Sequence, residues 1–419
     1  MSSALAINGG KPVIKAPEPH FAWPPYVPGL SKAVSDYIES DSPLSIAGRS
    51  GIYTEVENLF TSLLGPRYAI VMSSGTMALY SAFFALDLGP GDEVVSTVYS
   101  FHATASPLLH LGVKVIFCDV EKDTGNIDTQ ALAGLVSEKT RAVVTNHMWG
   151  HPVDVDAVKA ICSRCGAAWV EDCSHAHFSS YKGRYVGTES AVSVFSLQGN
   201  KLISGGEGGV LLTDSQDIYE KATLLGHSLK RSFQCVKTAG WQDLLRTGFG
   251  LKFRMHPLAA VMVGHVLRNY CFDWIASRRE TLGRFSKGLA ACGCGEVMPM
   301  EVKKYVTSMG AHYGFKPRVN FSEMGISRRL FVDALRAEGA DVSVPGSMPF
   351  HHLALFDHGR FPIGRFEKTD NSKQIFPGAE AYTGSILSVP TFTFKEQWPL
   401  VDQYIEAFDK VLRSLEELR

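Results

Sequence analysis

Short apolar runs and longer amphipathic stretches alternate along the first half of the chain. The apolar runs have the length and β-branched content of buried strands. They lie at 68–72, 93–98, 113–120, 141–147, 167–171, 191–197 and 210–213. Stretches with a helical period begin near Met77, Phe101, Asp128 and Asp154. This alternation predicts an α/β fold with a mostly parallel central sheet, and it places the ligand site at the carboxyl ends of the strands.

The pattern divides the chain into three parts. Residues 1–45 are rich in glycine and proline, which predicts an extended arm. Residues 46–268 contain a helix at 54–64 and the alternating segments, so they form the predicted large domain. A long amphipathic helix from about Asn269, a strand at 309–321, and helices at 327–338 and 398–415 predict a smaller α+β domain over 269–419.

Composition and charge exclude several classes of partner. The 419 residues are 45% hydrophobic and 20% charged, as in an ordinary globular protein. With 41 Lys and Arg against 42 Asp and Glu, the formal net charge is -1, so no global field attracts nucleic acid or an anionic membrane. The sequence contains no long apolar run and no basic leader followed by one. We therefore expect a cytoplasmic protein.

The eight cysteines do not form a recognisable framework. Their scattered positions favour reduced thiols over disulfides. Cys162 and Cys165 form a single CxxC motif, which by itself favours a helix end over a zinc or redox site. We expect no metal ion.

One lysine stands in an unusual place. Lys201 lies between the predicted strands 191–197 and 210–213, beside Leu202 and Ile203 and before a glycine-rich turn at 205–209. A desolvated lysine has a lowered pKa and can form an imine with a carbonyl. The alternative is an ordinary solvated lysine, since most lysines are exposed.

Three strand ends carry further candidates. The segment 73–76 (SSGT) precedes a helix, where it is either a phosphate site or an ordinary helix cap. Asp172 follows the strand 167–171, where it either pairs with a ring nitrogen or caps a turn; His175 and His177 follow it. Phe101 follows the strand 93–98 and either stacks on a ring or packs in the core.

Taken together, five ordered motifs resemble the DegT/DnrJ/StrS family of pyridoxal-phosphate (PLP) aminotransferases, which act on keto sugars and keto cyclitols. The motifs are 73–76 (SSGT), 100–105 (SFHATA), 147–150 (HMWG), 172–176 (DCSHA) and 195–209 (FSLQGNKLISGGEGG). The resemblance is strong over about 50–265 and weaker near 377–390. It implies PLP as cofactor, the PLP-dependent transferase fold of type I, and a homodimer.

The resemblance also implies roles for individual residues. Lys201 matches the lysine that holds PLP as an internal Schiff base and moves a proton between the substrate and the cofactor. Asp172 matches the carboxylate on the pyridine nitrogen, and His175 matches a residue near the phenolic oxygen. Phe101 matches the aromatic residue at the ring face. The remaining matches bind phosphate: Ser74, Gly75, Thr76 and Ser196, with Lys252 reaching the phosphate of the neighbouring subunit.

The resemblance predicts transfer of an amino group from glutamate or glutamine to a ketone on a sugar or cyclitol in natural-product biosynthesis. The motif 198–201 (QGNK) resembles the branch that aminates keto cyclitols such as scyllo-inosose, or that makes aminohydroxybenzoate, more than the nucleotide-sugar branch. Two alternatives stay open: a PLP-dependent dehydratase or cyclising enzyme, and a PLP-binding regulator without turnover. Lys201 argues against the dehydratase, because the family's sugar dehydratases replace this lysine with histidine.

Overall fold

The computed structural model describes residues 5–15, 23–292, 295–356 and 374–419. The helices are α1 (Leu30–Glu39), α2 (Gly51–Leu64), α3 (Gly75–Ala85), α4 (Ser106–His110), α5 (Thr129–Leu135), α6 (Val155–Cys165), α7 (Gln216–Gly226), α8 (Lys230–Cys235), α9 (Pro257–Asn269), α10 (Cys271–Ala291), α11 (Phe321–Met324), α12 (Arg328–Ala337), α13 (Pro377–Ser385) and α14 (Trp398–Arg413). The strands are β1 (Tyr68–Met72), β2 (Glu93–Thr97), β3 (Lys114–Cys118), β4 (Thr140–Asn146), β5 (Ala168–Asp172), β6 (Ser180–Tyr181), β7 (Arg184–Tyr185), β8 (Val192–Ser196), β9 (Gly209–Thr213), β10 (Val297–Met298), β11 (Val306–Ser308) and β12 (Arg318–Val319). None of the described helices is long and apolar enough to cross a membrane.

A seven-stranded sheet, in the order β1-β9-β8-β5-β4-β2-β3, forms the centre of the fold. Strands β3, β2, β4, β5 and β8 are parallel, whereas β9 is antiparallel to both β8 and β1. Alternate residues of β1 enter different cores, with Ile70 in the core that includes α3 and Val71 in the core that includes α2 and α9. The predicted α/β architecture with a mostly parallel sheet is confirmed.

The N-terminal segment differs from the predicted extended arm. Residues 30–39 form helix α1, which packs on α9. Leu5 and Ile14 are buried in the same core as α12, and the backbone N–H of Ile14 donates to the carbonyl of Glu338 at 2.9 Å. The prediction failed because glycine and proline content describes only the flanks of this segment. Its middle has a strongly amphipathic helical pattern that those flanks conceal.

The C-terminal part combines helices with short strands, as predicted. Helices α10, α12 and α14 occupy the predicted positions, and β10 pairs with β12. The predicted strand at 309–321 is wrong: only Arg318–Val319 is a strand, and the preceding residues form a loop. Gly310 and His312 have left-handed backbone angles (φ 51° and 43°), which a strand does not accommodate. The division into domains at residues 45 and 268 stays a prediction.

Candidate active site

A cavity of about 390 Å³ lies at the carboxyl ends of the parallel strands. Its walls include every predicted site residue except Lys252: Ser74, Gly75, Thr76, Phe101, Asp172, His175, Ser196 and Lys201. The remaining lining residues are Leu79, Ser100, Ala103, Asn146, Ser174, Gln198, Asn200, Glu207 and Tyr313. The structure therefore brings residues from four separate motifs, and from the C-terminal part of the chain, to one place.

Lys201 lies in the tight loop between β8 and β9. Backbone hydrogen bonds close this loop, from Gly199 to the carbonyl of Gly206 at 2.9 Å and from Gly205 to the carbonyl of Leu197 at 2.9 Å. The lysine is only 8% exposed, and its Nζ lies 3.8 Å from the ring centroid of Tyr313. Burial lowers the pKa of Lys201 to about 8, and the Asp172 carboxylate partly opposes this shift. A larger fraction of the amine is therefore neutral at a given pH than in an exposed lysine.

Asp172 ends β5 with its carboxylate held by two donors. Thr104 Oγ1 donates to Oδ2 at 2.7 Å, and the backbone N–H of Ser174 donates to Oδ1 at 3.1 Å. Ser100 Oγ is 2.7 Å from Thr104 Oγ1 and continues the chain of hydroxyl groups. These hydrogen bonds fix the orientation of a buried carboxylate. Asp172 is thus presented to the cavity as a rigid acceptor.

The N-terminus of α3 contributes Ser74, Gly75 and Thr76 to the wall of the cavity. Ser74 caps the helix, since its Oγ accepts the backbone N–H of Met77 at 3.1 Å. The backbone packs closely here: a Cβ on Gly75 would lie 3.0 Å from Ser196 Cβ, and one on Gly209 would lie 2.5 Å from the Ser74 carbonyl group. The helix cap at 73–76 is present, and the same helix end lines the cavity with Ser74, Gly75 and Thr76. A phosphate site at this helix end stays a prediction.

Two aromatic residues that line the cavity, His175 and Tyr313, stack with Trp149, which does not line it. The ring of His175 stacks on Tyr313 at 4.0 Å and on Trp149 at 5.4 Å between centroids. Burial and then the charge of Lys201 hold the pKa of His175 well below its usual range, so the imidazole is neutral at physiological pH. Trp149 adopts a left-handed backbone conformation (φ 57°), and such strain in a bulky residue is concentrated at functional sites.

Two predicted residues lie at or beyond the rim. Phe101 lines the cavity but is 59% exposed, so the alternative that it packs in the core is wrong. Its ring packs against that of His102, with the centroids 4.2 Å apart, and stacking on a ligand stays a prediction. Lys252 is exposed and does not line the cavity; its backbone pairs with that of His227. A role for Lys252 at the phosphate therefore requires a second subunit.

Sequence reasoning missed three residues of the site. Tyr313 was missed because its segment was assigned to a strand. Asn146 ends β4 beside Asp172, and the rule that ligands bind at carboxyl ends of strands is a signal that could have found it. Thr104 lies in a quoted motif, yet nothing in the sequence indicates that its hydroxyl reaches Asp172.

The residues of the cavity fit PLP. The cofactor needs an amine for its aldehyde, an acid partner for its ring nitrogen and N–H and O–H donors for its phosphate. Lys201, Asp172 and the N-terminus of α3 supply these groups in one cavity. In addition, the buried Asn146 Oδ1 has no hydrogen-bond partner among the described residues, as expected where a ligand completes the site.

The fold and cavity together define an aminotransferase, and comparison with known proteins gives its family. The sequence profile of the DegT/DnrJ/EryC1/StrS aminotransferase family matches residues 42–393, and the chain belongs to this family. A solved aminotransferase from Psychrobacter cryohalolentis has a TM-score of 0.82 at 25% identity, covering 95% of this chain and 100% of that one. A solved 3-amino-5-hydroxybenzoic acid synthase has a TM-score of 0.78 at 23% identity, covering 96% and 100%, which supports the fold alone.

Two relatives of known name illustrate the range of the family. The chain is 35% identical to the L-glutamine:scyllo-inosose aminotransferase of Streptomyces griseus over 441 aligned positions, covering 100% of both chains. It is 28% identical to the spore coat polysaccharide biosynthesis protein SpsC of Bacillus subtilis over 371 positions, covering 86% of this chain and 89% of that one.

Proposed function

We propose that this protein is a PLP-dependent aminotransferase that moves an amino group from glutamine or glutamate to a ketone on a cyclitol or sugar. The observation that carries the proposal is the shared cavity, in which a buried lysine of lowered pKa lies with an oriented carboxylate and a helix N-terminus. These are the three groups that hold and activate PLP.

When bound, PLP supplies an electron sink for breaking the C–H bond at the amino-bearing carbon. Lys201 Nζ would hold the cofactor through its aldehyde and, when free, would be placed to carry a proton to and from the donor. Asp172 would keep the ring nitrogen protonated, with its carboxylate held in place by Thr104 and Ser174. Ser74, Gly75, Thr76 and Ser196 would bind the phosphate, and Phe101 would lie against the ring.

Neutral polar residues support a hydroxyl-rich acceptor. Gln198 and Asn200 line the cavity beside Lys201, and amide side chains both donate to and accept from hydroxyl groups. Several relatives are named L-glutamine:inosose aminotransferases, including the one from Streptomyces griseus. We infer a keto cyclitol as acceptor and glutamine as donor, with natural-product biosynthesis as the setting in which such a product is used.

We also propose a homodimer with shared active sites. Lys252 does not line the cavity of its own chain. Four large apolar residues in the segments 229–233 and 249–251 are exposed: Leu229, Phe233, Phe249 and Leu251. Exposed apolar residues of this kind support a subunit interface. In the dimer, Lys252 would place a point charge at the phosphate of the partner's cofactor.

An absorbance titration tests the proposed function. The purified protein is incubated with PLP, freed of excess cofactor, and treated in turn with glutamine, glutamate and scyllo-inosose. We expect the visible band of lysine-bound PLP to decrease with the preferred donor and to return when the ketone is added. A protein that binds no PLP would contradict the proposal. An absorbance band that neither donor changes would favour a dehydratase, a cyclising enzyme or a regulator.

A further inference from the structure

Two hydroxyl groups connect the wall of the cavity to the carboxylate of Asp172. Ser100 and Asp172 both line the cavity, whereas Thr104 does not line it and is fully buried. Thr104 Oγ1 donates to Asp172 Oδ2 at 2.7 Å, and Ser100 Oγ lies 2.7 Å from Thr104 Oγ1. Both distances are those of well-formed O–H···O hydrogen bonds. The three side chains therefore form one continuous chain of hydrogen bonds.

This chain has a single direction when Asp172 is ionised. A hydroxyl group has one hydrogen to donate, and an ionised carboxylate only accepts. Thr104 gives its hydrogen to Asp172, so the hydrogen between the two hydroxyl groups must come from Ser100. Both hydrogens thus point toward the carboxylate, and Ser100 offers the cavity an acceptor but no donor.

The direction of the chain favours a charged Asp172. The backbone N–H of Ser174 donates to the other carboxylate oxygen, Oδ1, at 3.1 Å. Hydrogen bonds to an ionised group favour its ionised form, and in a buried chain each bond polarises the next. Asp172 is only 6% exposed, so little water reaches it and its charge depends on these protein donors.

In the proposed function, Asp172 shares one proton with the ring nitrogen of PLP. Donors that stabilise the charge on the carboxylate leave this proton on the nitrogen, where it makes the ring an electron sink. We propose that Ser100 and Thr104 are positioning residues that act through Asp172: their hydrogen bonds keep its carboxylate ionised and so keep the ring nitrogen of bound PLP protonated. This inference rests on the proposed function.

Nuclear magnetic resonance of the protein loaded with PLP that carries nitrogen-15 in its ring tests the assignment. The nitrogen signal moves continuously toward that of a neutral ring as the proton moves to the carboxylate. Thr104→Val keeps the shape of the side chain but lacks the hydroxyl, so we expect a shift toward the neutral position. Ser100→Ala should cause a smaller shift in the same direction, because Thr104 still donates to Asp172. Thr104→Ser retains a hydroxyl and should keep the wild-type signal.

A double variant distinguishes a chain from two independent effects. Because Ser100 contacts Asp172 only through Thr104, Ser100→Ala should cause no further shift in the Thr104→Val background. An equal shift in both backgrounds would overturn the chain, and an unchanged signal in Thr104→Val would overturn the assignment. Ser100→Ala leaves both donors to Asp172 in place, so it keeps the proposal testable where Thr104→Val does not fold. An unchanged signal in Ser100→Ala would overturn the role of Ser100.

Thr124→Val is a matched control at a residue that does not line the cavity. Thr124 is also fully buried, and its Oγ1 donates to a carboxylate oxygen, Glu121 Oε2, at 2.6 Å. This variant should keep the wild-type nitrogen signal. A shift as large as that of Thr104→Val would show that the signal follows any loss of a buried hydroxyl, and would overturn the assignment. A wild-type protein that binds no PLP would instead overturn the proposed function.

Discussion

At the scale of the residue, Lys201 shows how a reactive group is obtained at a cost in stability. Its amine must be neutral to attack an aldehyde, and burial increases the neutral fraction by lowering the pKa from 10.5 to about 8. The same burial lowers the stability of the folded state whenever the lysine is protonated. Because the unfolded chain holds this proton up to a higher pH, the stability of the folded state rises as the pH increases from about 8 to about 10.5.

Replacing this lysine should therefore stabilise the cofactor-free protein while abolishing attachment of PLP. We expect Lys201→Met to increase the free energy of unfolding by up to about 3 kcal/mol at pH 7, since each pKa unit corresponds to about 1.4 kcal/mol. The gain should shrink toward zero above pH 10.5. Thermal unfolding of both proteins at pH 7 and at high pH measures the difference. The control Lys237→Met replaces an exposed lysine and should not increase the free energy of unfolding. An increase for Lys201→Met that does not depend on pH would refute the link between stability and titration of this lysine.

At the scale of the element, the site depends on the close approach of β9 to the start of α3. Gly209 begins β9, and a Cβ there would lie 2.5 Å from the Ser74 carbonyl group and 2.6 Å from the Gly75 nitrogen. No side chain fits without moving the helix N-terminus that forms the proposed phosphate cradle. The glycine-rich segment 205–209 is therefore required for packing as well as for the turn.

Gly209→Ala should consequently weaken PLP binding at least 10-fold and destabilise the protein by about 1–3 kcal/mol, the usual cost of overpacking. Fluorescence titration with PLP and thermal unfolding measure the two effects. Gly199→Ala is the matched control in the same loop, because the nearest atom to its Cβ would be the Gly206 carbonyl oxygen at 3.8 Å. If both variants bound PLP like the wild type, the close approach would have no functional importance.

The elements also show why part of the site was predictable from the sequence. Ser74 comes shortly after the apolar strand β1, and Asp172 ends β5, whose first residues are apolar. An α/β sheet binds its ligand at the carboxyl ends of its parallel strands, which makes such positions candidates whatever the details of packing. Tyr313 was not predictable, because its segment alternates like a strand while Gly310, His312 and Pro317 turn it into a loop. That loop is held by tertiary contacts with Trp149 and Gly150, which no local pattern reveals. Helix α1 was hidden by its proline-rich flanks.

At the scale of the whole molecule, the predicted role of Lys252 depends on a second subunit. Lys252 lies outside the cavity, and its backbone is fixed by pairing with His227. Leu229, Phe233, Phe249 and Leu251 are exposed in the segments 229–233 and 249–251. The proposed homodimer would account for both observations, because it would cover these residues and bring Lys252 to the partner's phosphate. Each active site then needs Lys201 from one subunit and Lys252 from the other.

Mixed dimers distinguish this arrangement from a site contained in one chain. Lys201→Ala alone should be inactive, and Lys252→Ala should bind PLP at least 10-fold more weakly, as expected on losing a charged hydrogen bond. In a dimer with one chain of each kind, one site receives the intact Lys201 of one chain and the intact Lys252 of the other. We therefore expect differently tagged chains, co-expressed and purified through both tags, to recover about half of the wild-type activity per dimer. If Lys252 acted within its own chain, every site would carry one of the two defects, and the mixed dimers would be no more active than the average of the two variants.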